Sequence, residues 1–228
     1  MPVSELVRPS GTDPLRSLAE ALASAGRPVL GTTAGTSPAH SQQVAMERRG
    51  LAMLRLHAGR VREAAGHLFA ALRAAPREPD LWMELGTALF HAGKVANAAL
   101  CFKTALAVQA DLHFANYWLA RCEFHLGRIG QAAARYEAVA AACPDFVAAS
   151  YQAGRCYVGI GRWEAAISHF ERAQAREPKD PRNYYYLALC HRKLGDKPRS
   201  LTCLTRALEL EPEDERARDL QATWARER

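Results

Sequence analysis

The sequence predicts an all-α fold, in which pairs of amphipathic helices stack one after another as an α-solenoid. The first observation behind this prediction is a glycine that recurs every thirty-four residues, at positions 59, 93, 127, 161 and 195. The second is the spacing of hydrophobic residues, which follows the period of a helix on both sides of each glycine. A fixed repeat in this length range is typical of stacked two-helix units. Each glycine is therefore expected to adopt the left-handed conformation that ends the first helix of its pair.

Composition and charge narrow the class of protein. The chain has 228 residues, of which 49% are hydrophobic and 24% are charged, as in an ordinary globular domain. Its net charge of +6 favours an acidic partner, but the charge is spread along the chain without the basic clusters of a nucleic-acid-binding surface. No apolar run approaches the roughly 20 residues of a membrane span, and the start lacks the basic and apolar regions of a signal peptide. We therefore expect a cytoplasmic protein that binds neither membranes nor nucleic acids.

Residues 1–43 are predicted to be an N-terminal tail that contains one short helix. Asp13 and Pro14 are suited to begin this helix as its N-cap and first helical residue. An apolar stripe follows them and predicts a helix over about residues 14–25. The stripe consists of Leu15, Leu18, Ala19 and Leu22. Residues 27–43 are rich in Gly, Thr, Ser and Pro, which predicts a flexible linker.

Residues 44–228 are predicted to hold five helix pairs and a capping helix. The pairs span about residues 45–78, 79–112, 113–146, 147–180 and 181–214, and the capping helix spans residues 215–227. A capping helix is expected because the last pair would otherwise expose an apolar face.

Each pair carries the same pattern of large and small residues. The second helices place a small residue at Ala64, Ala98, Ala132, Ala166 and Ser200, and a large one at Leu68, Phe102, Tyr136, Phe170 and Leu204. The first helices place an apolar residue at Leu51, Leu85, Leu119, Ala153 and Leu187, directly before a small one at Ala52, Gly86, Ala120, Gly154 and Ala188. Small residues let neighbouring backbones approach closely, so these columns are expected to form the core.

The second pair, residues 79–112, shows the pattern most completely. It contains W-x2-L-G-x2-L beginning at Trp82 and A-x3-F-x2-A beginning at Ala98. This pattern resembles the tetratricopeptide repeat, and the resemblance covers about residues 44–228. It implies that the pairs stack into a right-handed superhelix whose first helices line a concave groove. It also implies that the groove binds a peptide without catalysis.

Two repeats depart from this pattern at the positions that the second repeat fills with Trp82 and Leu89. The first repeat has Arg48 and Arg55 there, and the third has Asn116 and Glu123. Terminal repeats are often atypical, which accounts for the first departure. The third departure is internal and has no such account, although Tyr117 and Trp118 beside it could supply the missing aromatic bulk.

The resemblance also indicates which side chains face the groove, namely those at the second, fifth, ninth, twelfth and thirteenth positions of each repeat. The candidate peptide-binding residues at these positions are Arg49, Phe90, His91, Tyr117, Arg121, Phe124, His125, Tyr151, Arg155, Arg182, Tyr185 and Arg192. Aromatic faces between guanidinium groups suit a peptide that offers carboxylates between apolar side chains, so the partner segment is expected to be acidic. Two alternatives stay open. The tyrosines would equally suit packing between adjacent first helices, and the arginines a solvated face.

Neither catalysis nor metal binding is expected. The cysteines include no C-x2-C pair, and Cys122, Cys156 and Cys190 occupy one repeat column. Equivalent positions on stacked repeats lie about 10 Å apart, which is too far for ligands about 2.1–2.3 Å from a single zinc ion. No Gly-rich phosphate loop, nucleophile elbow or pair of catalytic carboxylates is present. The sequence therefore predicts no enzyme, no cofactor and no metal site.

Two functions fit these expectations. One is an adaptor or chaperone whose groove binds a peptide segment of another protein. The other is a structural scaffold that assembles through its end faces or convex surface. The helix over residues 14–25 has two possible places as well, in the groove or on the first repeat as a cap. The identity of the partner and the oligomeric state do not follow from the sequence.

Overall fold

The computed structural model describes residues 37–226, and every regular element in this range is an α-helix. The helices are α1 (Pro38–His57), α2 (Val61–Ala74), α3 (Pro79–His91), α4 (Val95–Val108), α5 (His113–His125), α6 (Ile129–Ala142), α7 (Val147–Gly159), α8 (Trp163–Arg176), α9 (Pro181–Lys193), α10 (Lys197–Leu210) and α11 (Glu215–Arg226). From α3 onward, the first helix of each pair begins thirty-four residues after the previous one. The predicted all-α class is confirmed, whereas the helix predicted over residues 14–25 lies outside the described residues.

Glycine ends the first helix of every pair, as predicted. The five repeated glycines have φ angles of 71° to 78°, in the left-handed region that a residue with a Cβ atom rarely adopts. The turn after each glycine is short, and it lets the second helix pack back against the first.

The first helix begins earlier than predicted. The sequence predicts a linker through residue 43, whereas α1 begins at Pro38. Ser37 caps this helix, because its side-chain oxygen accepts a hydrogen bond from the backbone N–H of His40 at 3.3 Å. Serine at the N-cap and proline as first helical residue form a favoured start even where apolar periodicity is weak. The linker prediction is therefore wrong for residues 38–43, and residues 27–36 lie outside the described range.

The described helices divide at residue 111 into two compact units, α1–α4 and α5–α11. In the first unit, the predicted small and large columns are fully buried at Ala64, Leu68, Ala98 and Phe102. The exception is Leu51, which was expected in the core and is 39% exposed. Within the described residues no helix pair precedes the first one, so the side of α1 that carries Leu51 has no neighbour.

The second unit buries the same columns. The buried members are Leu119, Ala120, Ala132, Tyr136, Ala153, Ala166, Phe170, Leu187, Ala188, Ser200 and Leu204. Burial raises the pKa of the Tyr136 hydroxyl far above its usual value, because ionisation would place a charge in this core. Cys122, Cys156 and Cys190 are fully buried as well. They act here as small apolar residues where neighbouring helices meet.

The structure explains the departure in the third repeat. Asn116 and Glu123 on α5 share a partner, Arg135 on α6. The Nε atom of Arg135 donates to both carboxylate oxygens of Glu123 at 3.0 Å, and its Nη1 atom donates to Asn116 Oδ1 at 3.1 Å. Glu123 is only 2% exposed. The third repeat therefore replaces apolar residues on its two helices with an ion pair whose carboxylate is buried and whose arginine side chain is 35% exposed.

The capping helix α11 closes the end of the second unit. Ala217 is fully buried against α10, and the indole N–H of Trp224 donates a hydrogen bond to Ser200 Oγ at 3.0 Å. The apolar surface that α11 covers includes Leu204 and Ala207.

We expect removal of residues 213–228 to fray this end of the second unit. Amide hydrogen exchange in α10 should become about tenfold faster or more, because α10 loses its apolar cover while α5 and α6 keep theirs. Exchange measured by mass spectrometry in the full-length and truncated chains would test this. Unchanged protection of α10 in the truncated chain would contradict it.

Candidate functional site

The first helices of the second unit bring several of the predicted residues into one continuous strip. The guanidinium of Arg155 on α7 lies 5.5 Å from the ring centre of Phe124 on α5 and 6.0 Å from that of Tyr151. The Tyr151 ring packs edge to face against Tyr186 on α9 at 5.7 Å, and Tyr186 packs against Tyr185 at 5.3 Å. We call Phe124, Arg155, Tyr151, Tyr186 and Tyr185 the aromatic strip.

Two arginines cover tyrosines of the strip, each from the helix two places further along the chain. Arg182 at the start of α9 lies 5.1 Å from the ring centre of Tyr151, and Arg216 at the start of α11 lies 5.0 Å from that of Tyr185. The two pairs are related by one repeat length of thirty-four residues. Contacts of this kind join a cation to the negative face of an aromatic ring.

Both covering arginines already have a carboxylate partner. Arg182 donates to Asp180 at 2.9 and 2.7 Å, and Arg216 donates to Asp214 at 3.0 and 2.9 Å. The hydrogen bonds from Arg216 hold the pKa of Asp214 below its usual value, which keeps this carboxylate ionised. The charge of each covering arginine is therefore balanced within the chain.

Arg155 is different. Its Nη1 atom donates to the amide oxygen of Gln152 at 3.1 Å, and its other contacts are the two aromatic rings. In the part of the chain that the structure describes, no carboxylate lies within ion-pair distance of it. Arg155 is half-buried, so its charge is only partly compensated by water.

The tyrosines line the strip and also pack between helices. Tyr117 lies 5.3 Å from the buried ring of Tyr136 and 4.7 Å from Phe146, which occupies the position of Asp180 in the next repeat. Burial raises the pKa of Tyr151 to about 12, so this hydroxyl stays protonated at neutral pH. For Tyr117, the packing role that was left open is the main feature of its surroundings.

The remaining candidates of the second unit lie at the margins of the strip. Arg121 lies 4.5 Å from the ring centre of Trp118, one turn away on the same helix. His125 is exposed beside Phe124, with ring centres 6.0 Å apart. Arg192 instead contacts the capping helix, where it donates to Thr223 and lies 5.3 Å from the ring centre of Trp224.

In the first unit, Arg49 on α1 donates to Glu84 on α3 at 2.9 Å from its Nε atom, so its charge is balanced like that of Arg182. His91 borders a pocket of about 250 Å³ between these two helices, and Phe90 packs edge to face against His91 at 5.9 Å. The lining residues are Leu56, Met83, Glu84, Thr87, Ala88 and His91. These side chains form a small, mainly apolar hollow.

Comparisons with known proteins agree with this architecture. Models of the tetratricopeptide repeat match residues 49–111 and residues 123–182. The chain is a tetratricopeptide repeat protein. A further family model, described as regulator of microtubule dynamics protein 1-3, matches residues 160–226. None of the curated proteins matches the chain.

Solved structures show the same fold. YrrB, described as a tetratricopeptide repeat protein with an unusual peptide-binding site, is 17% identical, with a TM-score of 0.72 over 78% of this chain and 92% of its own. MamA from Desulfovibrio magneticus RS-1 is 23% identical, with a TM-score of 0.71 over 75% of this chain and 97% of its own. These levels of identity establish the shared fold and leave function to be argued from the site.

Three residues of this tetratricopeptide repeat protein lie in or beside the strip but outside the positions that the sequence assigns to the groove. Trp118 and Tyr186 lie at the sixth position of their repeats, next to the tyrosine column. Arg216 lies in the capping helix, for which the sequence predicts only a covering role. A signal for Arg216 was available, because D-x-R occurs at residues 180–182 and again at residues 214–216.

The described residues offer little reactive chemistry. Among them, no group of three or more His, Cys, Asp or Glu side chains is placed to hold a metal ion. Burial raises the pKa of Cys122 and Cys190 to about 12, which suppresses the reactive thiolate form. In the same part of the chain, no helix is both long and apolar enough to cross a bilayer.

Proposed function

We propose that the second unit binds an acidic peptide segment of another protein along the aromatic strip. A role as a protein-interaction module is what the tetratricopeptide repeat fold supports in general. The finer proposal, an adaptor or chaperone for an acidic segment, rests on one observation. Arg155 is the half-buried arginine of the strip that contacts two aromatic rings and an amide oxygen and, among residues 37–226, no carboxylate.

The contrast with the covering arginines supports this assignment. Arg182 and Arg216 are neutralised by Asp180 and Asp214, so an incoming carboxylate gains little from them. The guanidinium of Arg155 lies 5.5 Å and 6.0 Å from the ring centres of Phe124 and Tyr151, and cation–π contacts of this kind favour that position. A planar guanidinium held in this way is well suited to bind a carboxylate through two hydrogen bonds.

The repeat spacing suggests what the segment looks like. Arg121 and Arg155 occupy equivalent positions one repeat apart, a distance of about 10 Å for packed helices. An extended peptide rises about 3.3 Å per residue, so side chains three residues apart would meet successive repeats. The segment is therefore expected to carry acidic residues about three positions apart, with apolar residues between them to contact the rings.

A peptide-binding experiment tests the proposal. The probe is a fluorescein-labelled synthetic peptide of four Glu-Leu-Ala units, with a matched peptide in which every Glu is Gln. We expect the Glu peptide to bind and the Gln peptide to bind at least about tenfold more weakly, as measured by fluorescence anisotropy. Arg155→Ala should weaken binding of the Glu peptide by about tenfold or more and reduce its dependence on ionic strength.

Arg162→Ala is the matched control. Arg162 also lies over an aromatic ring, 5.5 Å from the centre of Tyr157, but it is in the turn between α7 and α8 and outside the strip. We expect this variant to bind the Glu peptide like the unchanged protein. Equal affinities and equal salt dependence for Arg155→Ala and Arg162→Ala would contradict the proposal.

A structural scaffold is the second candidate, and an exposed apolar face of the first repeat favours it. Met46 and Leu54 on α1 are 73% and 66% exposed. Exposed apolar surface on an end repeat is a route to self-association. Sedimentation velocity over a hundredfold range of protein concentration distinguishes the two functions. A scaffold of this kind would self-associate as the concentration rises, whether or not Arg155 is substituted.

A further inference from the structure

The side of α1 that faces away from α3 is apolar and uncovered. It carries Leu51 and Leu54, which lie one helical turn apart and are 39% and 66% exposed. We call these two residues the N-terminal face. No residue that the structure describes packs over it.

Later repeats show what normally lies on this side of a first helix. The residue equivalent to Leu54 is Cys156 in the fourth repeat and Cys190 in the fifth, and both are fully buried. In the fourth repeat this burial comes from the second helix of the preceding repeat, α6, whose Tyr136 belongs to the same apolar cluster as Cys156. The equivalent side of α3 is buried at Leu85 and Ala88. The N-terminal face is thus suited to an amphipathic helix, and none of the helices in residues 37–226 covers it.

We propose that residues 14–25 form that helix and cover the N-terminal face. Their sequence supplies an apolar stripe at Leu15, Leu18, Ala19 and Leu22, which is the spacing of one helical face. It also supplies a start at Asp13 and Pro14. The opposite side of the segment carries Ser17, Glu20 and Ser24, which suit contact with water.

The connection between the two elements is long enough. Residues 26–37 separate the segment from the start of α1 at Pro38. Twelve residues span about 19 Å on average as a random coil and about 40 Å when fully extended. The part of α1 between Pro38 and Leu54 is about 24 Å long, at 1.5 Å per residue. The segment can therefore lie along α1 in the antiparallel direction that second helices take before first helices in the later repeats.

Hydrogen exchange on the full chain tests the proposal. The variant Leu18→Asp/Leu22→Asp places two charges in the stripe, and Ser17→Asp/Ser24→Asp places two charges on its polar side as the matched control. We expect amide exchange in the second half of α1 to become about tenfold faster or more in the stripe variant and to stay unchanged in the control. Leu54→Ser should have a similar effect, and combining it with the stripe variant should add little further, because both remove the same contact.

Three results would overturn the proposal. Equal exchange in the stripe variant and its control would show that the segment does not cover α1. Faster exchange on dilution of the unchanged protein, with no effect of the stripe variant, would show that a second copy covers the face. A stripe variant that binds the Glu peptide more tightly, with unchanged exchange in α1, would place the segment on the aromatic strip instead.

Discussion

Replacing Arg135 by alanine is expected to destabilise the second unit by about 3 kcal/mol. Arg135 donates to both carboxylate oxygens of Glu123 at 3.0 Å, and Glu123 is 2% exposed. Without the arginine, a charged group stays buried with no counter-charge beside it. The cost of this arrangement exceeds the net contribution of the ion pair itself, because most of it is the desolvation of the carboxylate. Urea denaturation followed by circular dichroism measures the loss.

The control and the reverse experiment use residues of the same chain. Arg206→Ala removes an arginine whose partner, Glu209, is itself 55% exposed, so little change is expected. The triple variant Asn116→Trp/Glu123→Leu/Arg135→Cys introduces the apolar residues that the second repeat has at these positions, Trp82, Leu89 and Cys101. It should be at least as stable as the unchanged chain, since well-packed apolar residues often replace a buried ion pair without loss. If Arg135→Ala and Arg206→Ala have equal stability, Glu123 is better hydrated than its burial indicates.

The helix pairs were predictable from the sequence because burial imposes a period on it. Gly59, Gly93 and their equivalents recur at one spacing, and the residues around them alternate between large and small at fixed positions. Residues at equivalent positions make the same packing contacts in every repeat, so their size and polarity recur along the sequence. Leu51 was misplaced for the same reason: its column is apolar, but the first repeat has no preceding pair among the described residues.

Features that occur once were not predictable in this way. Asn116 and Glu123 depart from the pattern of the second repeat, and their partner Arg135 lies on another helix at a position without a common residue type. Periodicity treats each position separately, whereas only the packing of α5 against α6 shows that the three side chains meet. Apolar periodicity does not predict the early start of α1, because this start depends on the Ser37 cap and on Pro38.

The sequence predicts which side chains lie together in the candidate site better than it predicts which of its arginines already have a carboxylate partner. The column positions correctly bring Phe124, Tyr151 and Arg155 together, since equivalent positions of stacked repeats are neighbours. They do not show which arginines are already paired. Arg182 binds an aspartate two residues before it, whereas Arg155 has Gln152 instead. This difference depends on one local residue, and it decides which cation is available to a partner.

Gly154→Val is expected to destabilise the second unit by about 3 kcal/mol through overpacking. A Cβ atom at this position would lie 2.8 to 2.9 Å from three ring carbons of Phe170, closer than carbon atoms approach in proteins. The ring has little room to move, because it is fully buried and stacked on Tyr186 at 5.0 Å. The valine is therefore expected to disturb the aromatic strip as well as the core. Urea denaturation and binding of the Glu peptide would measure the two effects.

Alanine at the same position tests the cause. The column holds Ala52, Ala120 and Ala188 in other repeats, which by itself predicts that Gly154→Ala is nearly neutral. The facing residue changes this expectation. Glycine faces phenylalanine in the second and fourth repeats, at Gly86 with Phe102 and Gly154 with Phe170, and both rings would lie under 3 Å from an added Cβ. The gain in helix propensity on replacing glycine, about 1 kcal/mol, therefore offsets only part of the strain of Gly154→Ala.

A double substitution should relieve this strain. In the fifth repeat Ala188 occupies the glycine position and Leu204 the phenylalanine position, so Gly154→Ala/Phe170→Leu reproduces a pair that the chain already contains. We expect each single variant to be destabilised by about 1–2 kcal/mol and the double variant to be more stable than the sum of the two effects by about 1 kcal/mol or more. Phe102→Leu with Gly154→Ala is the matched control, because it combines the same two changes in repeats that lie in different units. Its two effects should add. Additive effects in Gly154→Ala/Phe170→Leu would mean that the ring of Phe170 does not limit the size of residue 154.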